Sequence, residues 1–119
     1  MAYQSFEELV VWKKSSHLAV TIYREFKPCR DYWLKDQITR AAVSIPSNIA
    51  EGSERESIRE FIRFLNFSRG SAAELRAQIY IAKEICLISP ATANSINQEL
   101  KQISSMLHGL VKSLKSQLI

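Results

Sequence analysis

The sequence predicts an all-α protein, an antiparallel up-down-up-down four-helix bundle that forms a single domain over residues 1–119. The chain has only three Gly and three Pro, which are too few for the many turns of a β-rich fold. Apolar residues recur at steps of three and four through four long segments, as in helices that bury one face. Short connections between these segments favour antiparallel neighbours.

The first predicted helix begins at Ser5, which forms a capping box with Glu8. It ends before Pro28, because the residue before a proline is disfavoured in the α conformation. Two apolar stripes run along this helix. We expect one of them to face the core: Leu9, Trp12, Ser16, Ala19, Tyr23 and Phe26. A helix in a monomeric bundle needs only one such stripe, so the second predicts a subunit interface, formed by Val11, Leu18 and Ile22.

The second predicted helix runs from about Tyr32 to Glu51. Pro46 lies inside it and predicts a kink, because proline removes a backbone hydrogen bond and clashes with the preceding turn. Gly52 is expected to close the helix in the left-handed conformation that glycine adopts easily. The predicted inward face carries Leu34, Ile38, Ala41, Ile45, Asn48 and Ile49.

The third and fourth predicted helices are the longest. The third runs from about Ser57 to Cys86, and its small residues Gly70 and Ser71 allow another helix to approach closely. Its inward face carries Ile58, Phe61, Leu65, Ser68, Ala72, Leu75, Ile79 and Ala82. The fourth begins at Ser89-Pro90, a cap residue followed by a proline that suits the first helical position. Its inward face carries Ile96, Leu100, Ile103, Leu107, Leu110, Leu114 and Leu118.

The charge of the chain permits an acidic partner such as RNA or DNA. The net charge is +4 and the pI is about 9.2. No segment is strongly basic, because even residues 54–89 hold six basic and five acidic side chains. A surface for nucleic acid would therefore have to be assembled by the fold.

The remaining composition predicts a cytoplasmic protein without a metal or cofactor. Cys29 and Cys86 are far apart and lie in no Cys-x-x-Cys motif, so we expect two free thiols rather than a disulfide or a metal site. The first eight residues lack the basic and apolar regions of a signal peptide. No apolar run approaches the roughly 20 residues that cross a bilayer, so we expect no membrane association.

Several segments, taken in order, resemble one known family. The nine residues from Ser44 to Gly52, Ser-Ile-Pro-Ser-Asn-Ile-Ala-Glu-Gly, resemble the signature of the bacterial four-helix-bundle family, also called the 23S rRNA intervening-sequence protein family. The opening from Phe6 to Lys13 and the residues Gln37 to Ala42 are similar to it as well. The third helix is also similar to the family in three segments: Glu60-Phe61, Phe64-Leu65 and Gly70-Ser71-Ala72-Ala73-Glu74-Leu75. The resemblance spans about Phe6 to Leu118.

This resemblance implies a small up-down-up-down bundle that assembles into rings, pentamers in particular. Some proteins of the family are encoded within insertions in the genes for large-subunit ribosomal RNA. A distant branch comprises accessory proteins of diversity-generating retroelements, which are thought to bind a reverse transcriptase and nucleic acid. The resemblance implies no general biochemical activity.

Polar residues interrupt the predicted inward faces of the second and third helices. Ser44, Asn48 and Glu51 lie in line at i, i+4 and i+7, beside Gly52, while Ser71 and Glu74 form a similar pair. One interpretation is a small polar ligand site. The favoured one is a structural hydrogen-bonded network that satisfies backbone groups freed by Pro46 and fixes the register of the helices, because buried polar groups need partners.

Basic residues follow the third predicted helix and are the candidates for binding phosphate. They are Arg55, Arg59, Arg63, Arg69, Arg76 and Lys83, which fall within about half of a helical wheel. Arginines paired with phosphates would explain an RNA or DNA role. Glu56 and Glu60 are also spaced to pair with the arginines, so a solvated, salt-bridged face is the competing interpretation.

The sequence favours binding over catalysis. His17 and His108 stand alone, and the chain lacks Glu-x-x-His, His-Glu-x-x-His and Gly-rich phosphate-loop motifs. The leading hypothesis is a non-enzymatic oligomer that binds nucleic acid or a nucleoprotein. The alternative is a protein–protein scaffold in which the positive charge has no role.

Overall fold

The structure is a computed structural model, and it describes residues 5–118. Residues 1–4 and 119, which the predicted domain includes, lie outside the described part. A short 3₁₀ turn, Phe6–Glu8, leads into four helices. They are α1 (Val10–Phe26), α2 (Tyr32–Ser53), α3 (Ile58–Glu84) and α4 (Pro90–Lys115). The all-α prediction is confirmed. Among the described residues, no helix is both long enough and apolar enough to cross a membrane.

The helices pack side by side in an elongated bundle of 49 × 20 × 19 Å. α1 contacts α2 and α4, and α3 likewise contacts α2 and α4. The loops have only four or five residues, so each spans at most about 22 Å. The 27 residues of α3 extend about 40 Å, so the chain must reverse between consecutive helices. Hydrogen bonds between α2 and α3 show this reversal. Ser44 bonds to Ser71, whereas Ile45, which is later in α2, bonds to Ser68, which is earlier in α3.

The caps explain where most helices begin. Ser57 accepts a hydrogen bond from the Glu60 N–H, and Ser89 accepts one from the Thr92 N–H just before Pro90. Ser5 caps only the 3₁₀ turn, by accepting from the Glu7 N–H, and Leu9 is extended. The predicted first helix is therefore divided into the turn and α1.

The predicted inward faces of α2, α3 and α4 form the core. Most of those apolar side chains are buried, and Phe61, Leu65, Leu75 and Ile79 are fully enclosed. The exceptions are Ile58, Leu110 and Leu118, which pack against the core while remaining half-buried. Asn48 is also half-buried.

The prediction for the two stripes of α1 is wrong. Val11, Leu18 and Ile22, predicted as a subunit interface, are 4%, 1% and 0% exposed and belong to the core. From the stripe that was predicted to be buried, Tyr23 is exposed, while only Ala19 and Phe26 are buried. When a helix carries two apolar stripes of similar polarity, its sequence alone does not show which stripe faces the core. The positions of α2 and α4 decide it.

Two glycines have roles other than those predicted. Gly52 is a buried residue inside α2 without a positive φ, so it is not a left-handed cap. A Cβ atom there would stand 2.6 Å from the Phe64 Cβ, so Gly52 permits close contact between α2 and α3. Gly70 is exposed and nothing lies within 4 Å of a Cβ built on it, so it allows no close approach.

The left-handed residue of this fold lies instead at the end of α3. Cys86 has φ of 63°. The N–H of Leu87 donates to the Ala82 carbonyl, and the N–H of Cys86 donates to the Lys83 carbonyl. This is the Schellman pattern, which usually has glycine at the left-handed position. Both cysteines are free thiols, and Cys86 is exposed.

Candidate nucleic-acid interface

A hydrogen-bonded network joins α2 to α3 at the middle of the bundle. The hydroxyls of Ser44 and Ser71 lie 2.8 Å apart. Asn48 donates from Nδ2 to the backbone carbonyl and to the hydroxyl of Ser44, each at 2.9 Å. Ser68, which is fully buried, donates to the Ile45 carbonyl at 2.8 Å. The Ser44–Ser71 and Ser68–Ile45 bonds cross between two helices, whereas the bonds from Asn48 stay within α2, and this arrangement agrees with a structural role.

The network differs from the predicted one in two ways. Glu51 and Glu74 are exposed rather than part of it, and Glu51 instead lies 3.8 Å from Arg55. The carbonyl that Pro46 deprives of a donor is that of Ala42, four residues earlier. The network contacts the carbonyls of Ser44 and Ile45 instead. It therefore ties two helices together rather than repairing the proline site.

The six basic candidates do not form one stripe. Arg55 precedes α3, which begins at Ile58. Its guanidinium lies 4.8 Å from the Phe64 ring centroid. Arg63 lies over Phe64 and also over Phe67, at 5.5 and 5.2 Å, while its NH1 atom is 3.1 Å from Glu60. Arg55 and Arg63 thus each contact a carboxylate and an aromatic ring. Glu60 pairs with Arg63 as the salt-bridged interpretation expected, whereas Arg55 pairs with Glu51 rather than with Glu56.

The other candidates on α3 have different surroundings. Arg59 is exposed. Arg69, Arg76 and Lys83 recur at seven-residue steps, so they lie near one line along the helix, and all three are half-buried. The backbone carbonyl of Arg76 accepts from Asn97 of α4, which identifies this line as the edge of α3 that faces α4.

A groove of about 770 Å³ runs along that edge. α3 and α4 contribute four side chains each: Ala73, Arg76, Ala77 and Tyr80, and Asn94, Asn97, Gln98 and Lys101. Two of these are cationic and none is acidic. Within residues 5–118, no carboxylate lies within 4 Å of Arg76 or Lys101. Lys101 could not be predicted from the sequence, because its proximity to Arg76 depends on how α4 packs against α3. Tyr80 follows Arg76 by four residues on α3, so helical spacing alone indicates that these two side chains are neighbours.

Large apolar side chains are exposed near one end of the α2–α3 face. Trp33 is 73% exposed, and the neighbouring Tyr32 is 70% exposed. In the register set by Ser44 and Ser71, Trp33 is level with the turn of α3 that carries Ile81 and Ile85. Both isoleucines are about half exposed. Exposed apolar clusters of this kind mark interaction surfaces.

The described residues contain no group of three or more His, Cys, Asp or Glu side chains that could hold a metal ion. His17 and His108 are exposed and lie on different helices, α1 and α4.

A family model, described as the 23S rRNA-intervening sequence protein, matches residues 7–109. The chain belongs to this family. This member of the 23S rRNA-intervening sequence family is similar to a solved structure from Bacteroides thetaiotaomicron, described as a protein with unknown function from the S23 ribosomal protein family. It is 28% identical, with a TM-score of 0.81, over 87% of this chain and 99% of that one. No curated protein matches this member of the family.

Proposed function

We propose that this protein is a non-enzymatic, self-associating helical bundle of the cytoplasm that binds RNA or DNA through the α3 edge facing α4. One observation carries the proposal: Arg76 and Lys101 line one groove in which no acidic side chain takes part. Unpaired cations favour binding to phosphate, because no internal ion pair has to be broken. Arg69 and Lys83 extend the positive edge on either side.

The proposed self-association is supported by the family resemblance and by exposed apolar side chains. The family resemblance implies rings of five subunits, and the chain exposes Trp33, Ile81 and Ile85 on one face. A ring would bury such side chains and repeat the basic edge around its circumference. Each subunit adds a net charge of +4, so the assembly would hold a polyanion more strongly than one chain can.

Light scattering coupled to size exclusion tests the proposal, at low and high salt and with and without total cellular RNA. The expected result is a mass near five times 13.6 kDa that increases with RNA at low salt only. A mass that is indifferent to RNA at every salt concentration would contradict nucleic-acid binding. A monomer at every concentration would contradict self-association.

Two triple variants then locate the surface. Replacing Arg69, Arg76 and Lys83 by Ala is expected to weaken RNA binding steeply. Replacing Arg55, Arg59 and Arg63 by Ala is expected to weaken it less, because both Arg55 and Arg63 already contact a carboxylate and an aromatic ring, whereas in the first variant only Lys83 does. The two variants remove the same charge, so each controls for the other. Circular dichroism verifies that both remain helical.

A protein–protein scaffold is the alternative function. The exposure of Tyr32 and Trp33 favours it, because aromatic residues of this kind are enriched where proteins meet. Binding of a protein partner through such residues should persist at high salt, since apolar contacts do not depend on screening. Partner binding that survives high salt, in an oligomer that ignores RNA, would support this alternative.

A further inference from the structure

The groove between α3 and α4 combines three kinds of side chain: cationic, aromatic and amide. It holds two cations, Arg76 and Lys101, and one aromatic ring, Tyr80. The amide side chains of Asn94, Asn97 and Gln98 complete the polar lining. Its volume of about 770 Å³ lies within the range of ligand sites, roughly 300–1,000 Å³.

The aromatic ring is available to a ligand. Tyr80 is 56% exposed and is the last of the α3 residues that line the groove, so its ring lies at one end of it. Ala77 and Ala73, about one and two turns away on the same edge of α3, leave space beside the ring because their side chains are short. The Lys83 ammonium lies 5.1 Å from the ring centroid, on one face of the ring, and is also 4.0 Å from the Glu84 carboxylate, so a base would stack on the other face. An exposed tyrosine among cations is suited to stacking on a base.

The amide of Asn97 is incompletely satisfied. Its Nδ2 donates to the Arg76 carbonyl over a long distance of 3.4 Å, and its buried Oδ1 has no partner among the described residues. A buried acceptor without a donor is unfavourable. The side chain therefore gains hydrogen bonds if it turns into the groove towards a ligand that offers both donors and acceptors, as the edge of a nucleobase does.

We infer that this groove binds single-stranded nucleic acid and holds one nucleotide, with its base on Tyr80 and its phosphate between Arg76 and Lys101. The inference rests on the proposed nucleic-acid function and adds to it a strand type and a contact for the base. A single strand is required because a base inside a duplex is already stacked on its neighbours and has no face free for Tyr80.

Fluorescence anisotropy tests this with an eight-nucleotide single-stranded RNA, the same sequence as a duplex, and the free nucleoside monophosphates. The wild-type protein is expected to bind the single strand more tightly than the duplex or any mononucleotide. Tyr80→Ala is expected to weaken binding of the single strand about tenfold, because the loss of one stacked base has roughly that effect. Tyr80→Phe keeps the ring and should bind as the wild type does.

Matched controls lie elsewhere on the surface. Tyr23→Ala removes an exposed tyrosine from α1 and should leave binding unchanged. Arg76→Ala should lower the slope of log affinity against log salt by about 0.7, the loss of one phosphate contact to a single strand. Arg40→Ala, on the exposed side of α2, should leave that slope as it is.

The outcomes separate this inference from the proposed function. If Tyr80→Ala binds the single strand like the wild type, or the duplex binds equally well, the groove is not the site, although salt-dependent binding through other basic residues would stand. If a mononucleotide binds as tightly as the eight-nucleotide strand, the inference that the groove's ligand is a single strand is wrong. A wild-type protein that binds no nucleic acid at low salt would overturn both.

Discussion

A methyl group added to Gly52 would stand 2.6 Å from the Cβ atom of Phe64, closer than two such atoms can approach. The obstacle is the first carbon of a side chain fixed to α3, so it cannot rotate away. α2 and α3 are thus held together at a contact that only glycine fits. The same pair of helices carries the serine network further along, through Ser44 and Ser71.

Gly52→Ala is expected to lower the free energy of unfolding by about 1–2 kcal/mol. The cost of overpacking, roughly 1–3 kcal/mol, exceeds the gain of up to about 1 kcal/mol from better helix propensity. Gly70→Ala is the control, because it lies in the open on α3 and should raise stability by about 0.5–1 kcal/mol. Urea unfolding of the two variants measures both. A stabilised Gly52→Ala would show that α2 moves aside freely.

Ser68→Ala is expected to lower the free energy of unfolding by about 1 kcal/mol. The substitution removes the hydrogen bond to the Ile45 carbonyl from a fully buried site and leaves that carbonyl with one partner fewer. Ser105→Ala on the exposed side of α4 should be neutral or slightly stabilising, because alanine favours helix. Equal stabilities for the two variants would mean that the interhelical bond contributes nothing.

Cys86→Gly is expected to raise the free energy of unfolding by about 1 kcal/mol. Cys86 adopts φ of 63°, where a Cβ atom is unfavourable and glycine is not. Cys86→Ala keeps the Cβ atom and should bring no such gain, so it controls for the loss of the thiol. Thermal unfolding under reducing conditions compares the three proteins. If both variants are stabilised to a similar extent, removal of the thiol explains the higher stability, and the left-handed conformation of Cys86 does not.

Trp33→Glu is expected to lower the mass of the oligomer while the helical content remains unchanged. The charge would be placed among exposed apolar residues that the proposed assembly covers. Val20→Glu on α1 is the control, since Val20 is also about half exposed but lies on another helix. Light scattering at a fixed protein concentration reports the mass. An unchanged mass for Trp33→Glu would exclude Trp33 from the interface.

Local rules in the sequence determined the helices. Ser89 caps a helix where the sequence predicts a cap, and Ser57 caps the third helix at its predicted start, since a serine cap depends only on the next three residues. The core faces of α2, α3 and α4 were also predictable, because each carries a single apolar stripe. The signature around Ser44 to Gly52 further indicated the family, and the match over residues 7–109 confirms it.

The tertiary structure decided everything that depends on which helix lies beside which. α1 has two stripes, and only its neighbours show that Val11, Leu18 and Ile22 are the buried ones. The sequence predicts that Gly52 ends a helix, whereas the structure places it inside α2 in close contact with Phe64. The groove joins Arg76 to Lys101, 25 positions apart in the chain. Periodicity specifies the faces of one helix, whereas contacts between helices depend on the packing of the whole bundle.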